Sequence, residues 1–208
     1  MASMTAAQKA LHQQRRETLN PFVAKAPVQI DVWVLPWTNR ADLMLQLQLA
    51  YMLSRDEFWT KHSFLRVCSV VGPFSELGGD ADADAVTVGS RRAELYDDVW
   101  WKMRIPATIE VFDAKEVVSE DTWSNFRAAA GHDKQATCAQ VYGVLNTVIQ
   151  RQNFNTAISV ISMPEVPKER RTTVTAEYMC GLRTLTGGIG PVMLTKAQAD
   201  SSVITVEL

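Results

Sequence analysis

The stretch Val28-Gln29-Ile30-Asp31-Val32-Trp33-Val34-Leu35 decides the fold. It follows Pro27, is rich in β-branched and aromatic residues, and carries apolar side chains on both of its faces. A strand with one wet face alternates apolar and polar residues. A strand that is apolar on both sides is covered on both sides, as in the centre of a parallel sheet sandwiched by helices. Pro36 and Thr38-Asn39 end it.

Outward from this strand, helical and extended patterns alternate. Ala41 to Ser54 reads as a helix with Leu45, Leu49, Met52 and Leu53 on one stripe. Phe64 to Val71 (FLRVCSVV) is the second strand, and Gly72 to Gly89 a loop. Ser90 caps a helix from Arg91 to about Met103, with Leu95, Val99, Trp100 and Met103 aligned. Ala107 to Phe112 is the third strand. Residues 114–134 are polar, with a short helix expected around Trp123 to Ala129. Gln135 to Gln150 is a helix with Cys138, Val141, Leu145, Val148 and Ile149 on its stripe, and Ala157 to Ile161 the fourth strand. Thr172 or Thr173 opens a helix that aligns Val174, Tyr178, Leu182 and Leu185 and stops at Gly187-Gly188. Val192 to Leu194 and Val203 to Leu208 close the chain. About eight residues separate these last two strands, too few for a helical crossover, so an antiparallel pair is expected. The fold expected is α/β: a three-layer, mostly parallel, doubly wound sheet of Rossmann-like type with an antiparallel C-terminal edge pair. Residues 1–27 read as a polar arm and 28–208 as a single α/β domain.

Composition narrows the function. The chain has 208 residues, 47% of them apolar and 21% charged, which is ordinary globular usage and excludes disorder. A net charge of -2 does not call for a nucleic-acid surface, since phosphate neutralisation draws on a basic excess. The longest charge-free run, Gln135 to Gln150, has 16 residues and includes Gln, Asn and Thr, so no membrane span is expected. Cys68, Cys138 and Cys180 lie far apart in apolar segments, without a CxxC. They read as free, buried thiols in a reducing, cytosolic setting, and neither a disulfide framework nor a zinc site is expected. Met1 to Glu17 lacks the apolar core of a secretory signal.

Doubly wound sheets bind ligands at their strand carboxyl ends, usually through a glycine-rich first turn. Here that turn is Pro36-Trp37-Thr38-Asn39-Arg40, without glycine, so neither a dinucleotide fingerprint nor a phosphate loop is present. Asp80-Ala81-Asp82-Ala83-Asp84 imitates the start of a calcium loop, but Ala85 replaces its glycine and Arg91 its terminal glutamate. It reads as a solvated acidic loop. His12, His62 and His132 read as surface residues, and no GxSxG elbow is present. Thr172 and Thr173, behind Lys168-Glu169-Arg170-Arg171, are candidate phosphorylation sites, because added negative charge suits a helix N-terminus. No catalytic, cofactor-binding or metal-ligating residue is assigned, and no cofactor is expected.

Several of these segments resemble, in order, the cytosolic C-terminal domain of cation–chloride cotransporters (solute-carrier family 12). They are Ile30-Asp31-Val32-Trp33-Val34; Leu43-Met44-Leu45 through Tyr51-Met52-Leu53; Phe58-Trp59; Leu65-Arg66-Val67; Lys102 to Val111; Ile158 to Pro164; Glu177-Tyr178-Met179; Pro191 to Leu194; and Val203 to Val206. Thr38-Asn39-Arg40 stands where that family has Asp-Gly-Gly, Thr195-Lys196 where it has Arg-Gly, and Glu207 where it has tyrosine, so the resemblance is to a divergent member. It implies the second of two universal-stress-protein-like halves: a non-catalytic regulatory and dimerisation domain on the cytoplasmic face of a membrane. Its partners would be a second copy and the twelve-helix transport domain of the same protein, which moves chloride with potassium, sodium or both. The competing expectation is a stand-alone nucleotide-sensing module that binds ATP or AMP near Thr38-Asn39 and Gly72.

Overall fold

The computed structural model describes residues 27–61, 63–74, 86–130, 134–166 and 172–197. Strands β1 (Val28–Val34), β2 (Ser63–Val71), β3 (Thr108–Asp113), β4 (Thr156–Ser162) and β5 (Val192–Thr195) form one sheet in the order β3-β2-β1-β4-β5. Every adjacent pair is parallel. β1 is central, and its burial on both faces explains its uninterrupted apolar pattern. This is the 3-2-1-4-5 order of a doubly wound, Rossmann-like sheet, with the strand order reversing between β1 and β4. β5 continues the parallel sheet. Val203 to Leu208, the expected antiparallel partner, lies outside the described residues.

Helices cover both faces. On one face lie α1 (Arg40–Arg55), the short α2 (Glu57–Thr60) and α3 (Val88–Tyr96). Leu43, Leu47, Ala50 and Leu95 pack there against Ile30, Val32, Val67, Ile109, Val111 and Val160. On the other face lie α4 (Ala114–Val117), α5 (Glu120–Ala130), α6 (Lys134–Gln152) and α7 (Thr172–Thr186). Trp123, Val144, Leu145, Val148 and Leu185 pack there against Trp33, Leu35, Cys68, Val70 and Ile161. The three-layer α/β arrangement read from the sequence is therefore present.

Local details differ from expectation. The buried stripe of α1 is Leu43, Leu47 and Ala50 with Asp42 and Gln46; of the expected residues Leu53 packs partly buried against that core, while Leu45, Leu49 and Met52 do not. That helix is apolar nearly all round, so periodicity alone could not choose its inner face. α3 begins at Val88 and is capped by Thr87. Ser90 serves as the third residue of the capping box, returning a hydrogen bond of 3.0 Å from the Thr87 N–H. The same helix widens into a π-turn at Asp97–Lys102; Trp100 is exposed there instead of aligned on the inner stripe, and Trp101 beside it is exposed as well. The polar segment after β3 forms two helices, Ala114–Val117 and Glu120–Ala130, where only one around Trp123 was expected. α7 ends as expected: Gly188 adopts φ +71°, a conformation that side-chain-bearing residues avoid. Among the described residues, no helix is long and apolar enough to cross a membrane.

Candidate functional site

The place to look for chemistry is the carboxyl end of the sheet, where the strand order reverses between β1 and β4. That crevice is laced by the protein's own side chains. Thr38 Oγ1 accepts from the Leu35 N–H at 2.9 Å and lies 2.6 Å from Ser162 Oγ. The Trp37 indole N–H donates to the Ser162 carbonyl at 2.9 Å, while its ring packs edge-on against Tyr142, centroids 5.3 Å apart. The short Pro36-Trp37 turn forces this arrangement, because a hydroxyl three residues past Leu35 can close the turn itself.

Asn39 then caps α1, its Oδ1 accepting from the Asp42 N–H at 2.9 Å. Asp42 is fully buried and bound to the segment after β5, accepting from the Ala197 N–H at 2.8 Å and from Lys196 Nζ at 3.2 Å. One strand over, two hollows of about 240 and 230 Å³ share Thr38 and Arg91. Each is smaller than the roughly 300–1,000 Å³ of ordinary small-molecule pockets. Arg91 donates from Nε to Ser69 Oγ at 3.2 Å and from a terminal nitrogen to Glu94 at 2.6 Å. Ser69 in turn donates to the Val34 carbonyl at 2.8 Å. Lys102 bridges Asp97 at 2.6 Å and Asp98 at 2.8 Å, and these hydrogen bonds raise its pKa above the ordinary lysine value. The cleft is polar, yet these cations are matched by the protein's own carboxylates.

A second polar cluster lies toward the strand amino ends, on the sheet face that carries α6. Asp31 and Arg66 occupy paired positions on β1 and β2. Arg66 donates to Asp31 at 2.9 and 2.7 Å, to Glu110 at 2.9 Å and to the Gln152 carbonyl at 3.0 Å. Thr156 Oγ1 also donates to Asp31. Burial alone would lower the pKa of Arg66. The hydrogen bond to Asp31, with the charges of Asp31 and Glu110, outweighs burial and holds it above the ordinary value. Burial, followed by the charge of Asp31, pushes the Cys68 thiol well up.

Thr172 and Thr173 are exposed in the first turn of α7, while Lys168 to Arg171 lie outside the described residues. His12, His62, His132 and the Asp80–Asp84 tract also lie outside them. Among the described residues no group of three or more His, Cys, Asp or Glu is placed to hold a metal. Sequence inspection passed over Asp31, Arg66 and Arg91. The signal for the first two was present: each is the lone charge in an otherwise uncharged strand.

No family model and no curated protein matches this chain.

Proposed function

We propose that this chain is a non-catalytic regulatory and dimerisation domain of an electroneutral cation–chloride cotransporter. It works at the cytoplasmic face of a membrane beside the transport domain of the same protein, which moves chloride with potassium, sodium or both. The observation that carries this reading joins two of the resembling motifs. Asp31 from Ile30-Asp31-Val32-Trp33-Val34 and Arg66 from Leu65-Arg66-Val67, 35 residues apart, form one buried ion pair. The polar letters of both motifs thereby acquire a shared physical purpose, and the apolar letters around them supply the two cores. The self-satisfied crevice adds support for a role without bond-making: Thr38, Ser162, Ser69 and Arg91 all spend hydrogen-bonding capacity on each other or on backbone. A partner domain then has to be met through surface contacts.

The test is the gene and its product. The full reading frame is expected to encode hydrophobic spans ahead of this segment. Chloride-dependent rubidium or sodium uptake by cells expressing the whole protein is expected to change when the segment is deleted. A complete frame without such spans, or uptake indifferent to the deletion in a protein that reaches the membrane, would overturn the proposal.

A further inference from the structure

Helix α1 carries a face that neither core uses. Its buried side is Asp42, Leu43, Gln46, Leu47 and Ala50. On the other side Met44, Leu45 and Leu49 are only half-buried and Met52 is 68% exposed. None of these four belongs to either apolar cluster. Ala41, Leu45, Gln48 and Met52 recur at spacings of four, three and four, the seam spacing of two helices packed along each other. From Leu43 to Ser54 the helix has no charged residue at all. A helix whose outer side meets only water normally carries charges there.

The charges of α1 and its immediate flank are confined to the ends. Exposed Arg40 stands at one end, and exposed Arg55, Asp56 and Glu57 at the other. Gln48 is eight residues from Arg40 and eight from Asp56. A two-fold axis through Gln48 therefore sets Met44 of one copy against Met52 of the other, and Arg40 against Asp56 and Glu57. Each end of the pair then gathers two cations and two carboxylates, and the helix dipoles run in opposite directions. The Gln48 side chains face each other as donor and acceptor. A parallel arrangement would instead place Arg40 beside Arg40 and carboxylates beside carboxylates, so charge selects the antiparallel one.

We propose that the outer face of α1 is the docking surface for a second copy of this chain, packed antiparallel about Gln48 at the shallow crossing angle of coiled-coil-like pairs. This rests on the dimerisation reading above and adds the surface that carries it out.

Light scattering on the full chain tests both levels. The unmodified protein is expected at twice the monomer mass. Gln48→Lys places two ammonium groups on the axis and is expected to halve that mass, with circular dichroism and melting temperature showing that the subunit still folds. In a Cys138→Ser, Cys180→Ser background, Gln48→Cys is expected to give an oxidised covalent dimer, because a residue on the axis meets its own copy. Trp101→Cys, on the exposed π-turn, is expected to stay uncrosslinked. A dimer indifferent to Gln48→Lys, or one crosslinked through Trp101→Cys and not Gln48→Cys, would overturn this surface while leaving dimerisation intact. A monomer at every concentration would overturn both.

Discussion

Asp31 and Arg66 stand side by side on neighbouring parallel strands, and the guanidinium grips both carboxylate oxygens from a position in which Asp31 has no contact with solvent. The pair lies two residues from the core residues Trp33 on one strand and Cys68 on the other, with Glu110 on the same sheet face beside it. A charge taken out of water this completely is tolerable only because Arg66 and Thr156 both donate to it, while the Gln152 carbonyl at the end of α6 accepts from the guanidinium.

Removing one partner should therefore cost more than removing both. Arg66→Met leaves Asp31 buried and is expected to destabilise the fold by about 3–5 kcal/mol. Arg66→Met combined with Asp31→Leu should recover much of that loss, because no uncompensated charge remains. Urea unfolding of the parent, Arg66→Met and the double variant checks this, and a double variant no more stable than Arg66→Met alone would contradict it.

The clasp at the end of β1 predicts a smaller effect. Thr38→Val keeps the shape but strands the Leu35 N–H and the Ser162 hydroxyl. It should lower stability by about 1–3 kcal/mol, while Thr38→Ser should stay close to the parent. Thermal unfolding of the two variants decides; equal losses would mean that the methyl group, not the hydroxyl, holds the turn.

Cysteine chemistry separates inside from outside. Cys68 is fully buried, as its apolar segment led one to expect, with its thiol pKa pushed well up, whereas Cys180, expected to be buried too, is exposed. In a Cys138→Ser background, a thiol reagent at neutral pH should modify Cys180 quickly and Cys68 only as the protein unfolds. The sign of the pH effect follows. The unfolded chain releases the Cys68 proton near pH 8.5 and the folded chain keeps it, so stability should fall as pH rises above that value. Parent and Cys68→Ala proteins compared between pH 7 and 10 report it; equal slopes would count against the buried thiol.

Adenine nucleotides should find no purchase. The cleft cations Arg91 and Lys102 already hold Glu94, Asp97 and Asp98, and the first turn has a hydroxyl clasp where phosphate binders present glycine backbone. Calorimetry with millimolar ATP or AMP is expected to show no saturable heat. A saturable signal abolished by Arg91→Gln would favour the nucleotide-sensing alternative.

Much of this was legible in the residue order. Val28 to Leu35 announced a strand covered on both sides, and the alternation that followed announced a parallel sheet, because those periodicities depend only on backbone geometry. Gly188 marked the end of α7 because few other residues adopt its backbone angles. The inner face of α1 was not legible. With apolar residues all round the helix, only the position of β1 and β4 beneath it chose Leu43 and Leu47 over Leu45 and Leu49. The π-turn escaped for a related reason: a single widened turn leaves composition unchanged, yet Trp100, aligned with Leu95 and Val99 by the helical period, is exposed.

The sequence by itself determined the class of fold, the central place of β1 and the absence of a glycine-rich phosphate turn, since each depends on local chemistry within a few neighbouring residues. Only the tertiary structure decided which charges meet. Asp31 lies 35 residues from Arg66, Thr38 lies 124 from Ser162, and Asp42 lies 154 from Lys196. No local pattern encodes such distances, because strand order and register, set by the packing of two cores on one sheet, bring those side chains within hydrogen-bonding reach.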